Sequence, residues 1–217
     1  MTLMAYASRT RTKRNIAALK AHEWGWIVGP LDCGGPILGG MPYVLDNGAW
    51  PAFEQGVPWD REAFLRSLDE HGPGALFIVC PDVVADREAS LRLTREWLPY
   101  LLAPPDLKDV MILIAVQDGM TFEDVEPLLT EPRIGIFIGG STEWKEAAII
   151  PWGRWAHARG IYSHCGRVNT ARRIFLCIAG RIRSFDGTSA TKYAKTLPML
   201  DEARRQSDLE AMACFAA

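Results

Sequence analysis

Five short segments of the sequence end an apolar run in acidic, amide or glycine residues. They are Leu45-Asp46-Asn47-Gly48-Ala49-Trp50, Cys80-Pro81-Asp82, Val116-Gln117-Asp118-Gly119, Ile138-Gly139-Gly140-Ser141 and Phe185-Asp186-Gly187-Thr188-Ser189. A single Asp after such a run is usually a turn former or a helix cap. Recurrence at five ends points instead to a shared site. Three carboxylates (Asp46, Asp82, Asp186) with Gln117 could offer oxygen ligands to Mg²⁺. Alternatively, two carboxylates divide nucleophile and acid/base duties at a glycosidic carbon while the third reads a base edge. Trp50 supplies a ring on which a planar ligand can stack, and Gly139-Gly140 permit close backbone approach.

The elements that must hold these residues alternate in type. Strands are expected at Trp26–Val28, Tyr43–Leu45, Ala75–Cys80, Val110–Val116, Ile134–Ile138, Gly160–Ser163 and Ile182–Phe185, with Tyr6 on another. Runs such as VMILIAV and IGIFI are apolar throughout, as strands of a parallel sheet covered on both faces require. Helical patterns follow at Asp60–Glu70 and Asp86–Leu102, after Thr121, after Ser141, and after Asn169 or Thr170, where ARRIFLCIA ends at Gly180; Thr188 or Ser189 opens a last one. Repeated strand–loop–helix units indicate an α/β protein. In parallel α/β folds ligands bind at the carboxyl ends of the strands, where the five signatures fall.

At 217 residues the chain is read as one domain, 1–217, with no internal boundary. This is slightly short for a (β/α)8 barrel, typically about 250 residues. Gly- and Pro-rich breaks occur at 29–42 and 103–106. A 48% hydrophobic, 23% charged composition excludes a disordered tail or a fibrous repeat. The net charge of −2 hides a pattern. Residues 1–20 carry five Lys/Arg and no acid, residues 21–150 eight basic against 21 acidic, and residues 151–195 nine basic with the single acid Asp186. If the basic segments meet, they make a face suited to a polyanion. Five cysteines without a CxxC pair argue for a reducing compartment and against a structural zinc site. His164-Cys165 is a poor metal pair because adjacent residues rarely bind one zinc with good geometry, and His157 and His164 read as structural. No secretory pattern opens the chain and no apolar run reaches the roughly 20 residues a bilayer needs, so a cytoplasmic protein with no membrane partner is expected.

Taken in order, these segments resemble the tRNA-guanine transglycosylase superfamily. LDNGAWPAF is similar to the family's D-S-G-G-[FY]-Q stretch, CPDVVADREASLRLTREW to its F-D and A-D-R-E segment, AVQDGM to V-Q-G-G, FIGGS to I-G-G, and SFDGTS to the late F-D motif. The order holds from about residue 42 to 195. Asn47, Ala49 and Trp50 depart from the family's Ser, second Gly and Phe/Tyr, and the family's CxCxxC…H zinc module is missing. The compact chain, with GRVNTARR and SFDGTSATKY, looks most like the phage-type enzymes that place 7-deazaguanine bases in DNA.

The resemblance implies a compact TIM-like barrel and exchange of guanine in DNA for a preQ0- or preQ1-type base through a covalent aspartyl intermediate, without metal or cofactor. Its location would be the host cytoplasm if the gene is a phage's. Asp186 is implied as nucleophile and Asp46 as the proton-handling partner. Asp82, Gln117, Gly139, Gly140, Trp50 and Asn47 would line the base pocket. Asp82 would accept from the base N1/N2 edge, and Gln117 and the Gly140 amide would donate to O6. Candidate phosphate contacts are Arg9, Arg11, Lys13 and Arg14 from the N-terminus, and Arg159, Arg167, Arg172, Arg173 and Lys192 around Asp186. The same chemistry on tRNA (queuine-type), a non-catalytic nucleic-acid-binding subunit, and a metal-dependent phosphoryl-transfer or sugar enzyme remain the alternatives. Retention of both Asp46 and Asp186 speaks against a silent subunit.

Overall fold

A computed structural model of the protein describes residues 3–32, 40–192 and 194–206. Half of the expected 29–42 loop (33–39, with Cys33) and the C-terminal tail with Cys214 lie outside the described residues. In chain order the elements are β1 (Met4–Ser8), α1 (Lys13–Ala21), β2 (Gly25–Val28), β3 (Tyr43–Leu45), α2 (Ala49–Gln55), α3 (Arg61–His71), β4 (Phe77–Val79), α4 (Arg87–Leu102), β5 (Met111–Val116), α5 (Phe122–Val125), β6 (Ile134–Ile138), α6 (Thr142–Ala158), β7 (Ser163–Cys165), α7 (Ala171–Ala179), β8 (Ser184–Gly187), α8 (Ser189–Lys192) and α9 (Leu197–Arg204). The eight strands are all parallel and close into a barrel in sequence order, β8 returning to β1 with Tyr6 opposite Asp186. The chain is therefore a compact (β/α)8 TIM-like barrel.

Strand periodicity sorts the apolar side chains into two layers. Tyr6, Val44, Phe77, Val79, Leu113 and Ala115 pack together inside the barrel, joined by Phe137 and Tyr162. Their sequence neighbours, including Ala5, Leu45, Ile78, Ile112, Ile114 and Ile136, pack outward against the helices. Helix starts follow their caps. Asp60 accepts from Ala63 N at 2.9 Å, Asp86 from Ala89 N at 2.9 Å, Ser141 from Trp144 N at 3.3 Å and Thr170 from Arg173 N at 3.3 Å. Each satisfies a backbone donor that the first helical turn leaves open.

Three expectations shift. The helix after Thr121 is α-helical only to Val125, then tightens to a 3₁₀ turn over Glu126–Leu128, which contains Pro127. Strand β7 is Ser163–Cys165 rather than 160–163, because α6 runs to Ala158 and the chain must reverse at Gly160, φ +70°. Strand β8 starts at Ser184 and includes Asp186, which is therefore a strand residue and not a loop residue. Helices α1, α2 and α9 have no counterpart in the sequence reading. No helix among the described residues is long and apolar enough to cross a membrane.

Candidate active site

The inward rows of the strands do not stop at the apolar lumen. They continue by one residue pair to the carboxyl end, where each meets a polar side chain: Val44 leads to Asp46, Ala115 to Gln117 and Ser184 to Asp186. The period of two that buries the lumen thus aims these groups into one mouth. A cavity of about 480 Å³ opens there, and its lining draws on the carboxyl side of every strand, from Ser8 at the end of β1 round to Asp186 on β8. The six residues expected at a base pocket line it (Asn47, Trp50, Asp82, Gln117, Gly139 and Gly140), as do the two expected catalytic carboxylates, Asp46 and Asp186.

Asp82 is the most tightly bracketed. Asn47 Nδ2 donates to its Oδ1 at 2.5 Å and Gln117 Nε2 to its Oδ2 at 2.5 Å. Gln117 cannot turn over freely, since its Oε1 accepts from Ala85 N at 3.0 Å. Burial pushes the Asp82 carboxyl up to about 6, opposed by the Asn47 hydrogen bond and the Arg167 charge. Asn47, expected to meet the ligand, is engaged within the protein instead. It also donates to Cys80 O at 2.8 Å, and its Oδ1 accepts from Ala49 N at 2.8 Å. Its role here is to brace Asp82.

Gly139 is required where it stands. A Cβ there would lie 2.5 Å from Gln117 Nε2, on an amide already held at both ends. Its own N–H bonds Val116 O at 3.0 Å, which leaves Gly140, at φ +74°, as the residue with the backbone freedom a ligand contact needs. Asp118 clamps the start of α6 by accepting from Ser141 N at 2.7 Å and Ser141 Oγ at 2.5 Å.

Asp46 is half-buried, and its carboxylate accepts a long bond from Gly48 N at 3.3 Å. Burial, then the charges of Asp186 and Asp82, raise its carboxyl to about 7. At neutral pH such a group both gives and takes protons readily. Asp186 is differently held. Its Oδ1 faces His164 Nε2 at 3.0 Å and its Oδ2 accepts from Arg167 N at 3.2 Å. One acidic group poised near neutrality beside a second that is buried and braced by donors is a general acid/base and nucleophile arrangement.

Two residues take places the sequence reading did not give them. His164, read as structural and shown fully buried, touches Asp186. Arg167, read as a phosphate contact, is half-buried in the cavity wall. Its guanidinium lies 3.4 Å over the Trp50 ring and donates to Gly140 O, so it covers one face of the expected stacking platform. No local sequence signal separates Arg167 from its neighbouring arginines; its backbone, at φ +58°, presents its N–H to Asp186.

The two basic segments do meet. Strands β1 and β8 pair, and Asn15 Nδ2 reaches Thr191 O at 3.2 Å. Arg9 and Arg11 lie on the turn from β1 into α1, Lys13 and Arg14 start α1, and Lys192 ends α8, which packs against β1. Arg172 and Arg173 start α7 at the same end of the barrel, both paired with Glu146. Arg159 is the exception. Helix α6 runs antiparallel to its strand for 17 residues and carries Arg159 to the opposite end, where it pairs with Glu126 and lies over Trp155. It is not part of the mouth.

Among the described residues no group of three or more His, Cys, Asp or Glu side chains is arranged to hold a metal ion. Cys80, Cys165 and Cys177 are free and buried. No protein-family model matches the chain, and a search of curated proteins returns no match.

Proposed function

We propose that the protein is a transglycosylase that exchanges guanine in DNA for a 7-deazaguanine base by double displacement. The observation that carries the reading is the carboxyl pair: Asp46 raised to about 7 beside Asp186, whose oxygens are held by His164 and the Arg167 amide. Asp186 Oδ2 attacks the anomeric carbon, the glycosidic C–N bond breaks, and the electron pair leaves with guanine. The Asp46 carboxyl gives its proton to the departing base. The incoming 7-deazaguanine returns a proton to Asp46, its ring nitrogen attacks the anomeric carbon, and Asp186 is released as carboxylate.

Base recognition follows from the donor inventory. Asp82 offers carboxylate lone pairs to N1–H and N2–H, beyond the single bond each oxygen accepts from Asn47 and Gln117. A base that reaches this depth has left the helical stack, so single-stranded or flipped DNA is the substrate form. Exposed Arg11, Lys13, Arg14 and Lys192 beside the mouth are suited to the phosphate backbone.

The test is incorporation of labelled guanine into DNA and, separately, into tRNA, with wild type and Asp186→Ala. The reading expects label in DNA with wild type and none with the variant. Label in tRNA alone would replace DNA as the substrate, and exchange undiminished in the variant would remove Asp186 as nucleophile.

A further inference from the structure

His164 is a titratable side chain sealed inside the barrel that the proposed reaction leaves unused. It is fully buried, with the Phe137 ring stacked on it at 5.1 Å and 18° and the Phe77 ring edge-on at 4.9 Å. Both ring nitrogens are nevertheless engaged. Nε2 lies 3.0 Å from Asp186 Oδ1, and Nδ1 lies 2.8 Å from Ser184 Oγ. Ser184 Oγ is in turn 2.7 Å from the Tyr162 hydroxyl, which is hydrogen-bonded to Tyr6. The groups come from β1, from β7 and the residue before it, and from β8, all on inward positions.

We propose that this buried chain, Tyr6 to Tyr162 to Ser184 to His164, ends on Asp186 and fixes it as an oriented anion, which makes His164 a positioning residue for the nucleophile. Donor counting sets the direction of every link. An ionised carboxylate only accepts, so Nε2 carries the proton that faces Asp186. The other nitrogen of a neutral imidazole is an acceptor, so Ser184 donates to Nδ1. The single hydroxyl proton of Ser184 is then committed, and its oxygen accepts from Tyr162. Tyr162 likewise accepts from Tyr6. The links point the same way, and each strengthens the next in a low-dielectric lumen.

The consequence for the carboxylate is specific. Oδ1 is tied to the ring at 3.0 Å, while among the described residues Oδ2 receives the longer 3.2 Å contact from the Arg167 amide. Oδ2 is therefore the attacking oxygen. When its bond to the anomeric carbon forms, Oδ1 becomes the ester carbonyl and keeps the His164 N–H, so the relay needs no rearrangement during the cycle.

The role of Asp186 in this inference rests on the transglycosylase reading; the hydrogen-bond chain does not. Two experiments separate them. In ¹⁵N-histidine-labelled protein at pH 8, above the ordinary histidine range, the spectrum of His164 should show Nε2 protonated and Nδ1 as an acceptor. Ser184→Ala should weaken that preference. An Nδ1–H tautomer or an imidazolium at that pH would overturn the chain whatever the reaction is. For the positioning role, formation of the covalent nucleic acid adduct is timed in a single turnover. His164→Phe keeps the packing against Phe77 and Phe137 but removes the donor, and should slow adduct formation about 10- to 100-fold in protein whose melting temperature falls by only a few degrees. His164→Gln, whose amide N–H can reach Asp186, should recover most of that loss. Adduct formation by the Phe variant at the wild-type rate would overturn the positioning role. No adduct with wild type would sink the transglycosylase reading and with it the nucleophile to be positioned.

Discussion

The raised carboxyl of Asp46 has a thermodynamic signature that can be read without substrate. The group ionises near 3.8 in the unfolded chain and near about 7 in the fold, because burial and the charges of Asp186 and Asp82 disfavour its anion. A carboxyl raised on folding favours the fold most below its unfolded value, and that contribution is lost as pH rises toward its folded value. Each pH unit between the two ionisations is worth about 1.4 kcal/mol. The protein therefore carries a penalty of at most about 4 kcal/mol at pH 8.5 and about 2 kcal/mol at pH 5. Asp46→Asn has the same shape, still accepts from Gly48 N, and cannot ionise. It should raise stability by about these amounts, more at the higher pH, while abolishing exchange. For a chain of this size the gain at pH 8.5 corresponds to roughly 8–16 °C in melting temperature. Urea unfolding of both proteins at pH 5 and 8.5 measures it. Equal effects at the two pH values, or a loss of stability confined to pH 8.5, would show that Asp46 ionises freely and would refute the argument for its acid/base role.

Other parts of the structure make their own predictions. Gly139→Ala puts a methyl 2.5 Å from Gln117 Nε2 and should pull that amide off Asp82, weakening guanine binding about tenfold by titration calorimetry while the fold is retained. Arg11→Ala and Lys13→Ala should each flatten the salt dependence of DNA binding by up to about one unit of slope, whereas Arg159→Ala, at the other end of the barrel, should leave the slope unchanged. Asp201 accepts from Trp24, His22, Arg204 and Arg205, and the last three at 2.8, 2.7 and 2.9 Å. These partners, against the opposing effect of burial, hold its carboxyl down to about 2, so it stabilises the protein above the usual Asp range and loses that contribution as pH falls toward 2. Asp201→Asn strands buried Arg204 and should cost about 3–5 kcal/mol at pH 7, with the difference vanishing in strong acid.

The barrel was legible because its middle strands are written without ambiguity. Met111–Val116 and Ile134–Ile138 are apolar on both faces, which only a sheet covered on both sides tolerates. The mouth was legible because a polar residue ending an inward row is a local signal, and Asp46, Gln117 and Asp186 all carry it. What the sequence hid depends on partners far along the chain. Asn47 looks like a ligand-facing amide until Cys80 and Asp82, 33 and 35 positions on, engage it. His164 stands on a strand of Ser, His and Cys that has no apolar pattern, and its partners come from β8. Arg167 sits among arginines and reads as one more phosphate contact until its left-handed backbone and Trp50 turn it inward. Arg159 was misplaced because its position depends on the length of α6, about 25 Å of helix.

The most direct measurement is the intact mass of the protein after brief incubation with a guanine-containing DNA oligonucleotide and no incoming base, followed by acid quench. The account predicts a species equal to protein plus the oligonucleotide less one guanine, mapped by peptide fragmentation to Asp186 and absent in Asp186→Asn. Base exchange that proceeds with no such adduct, or an adduct mapped to another residue, would contradict it.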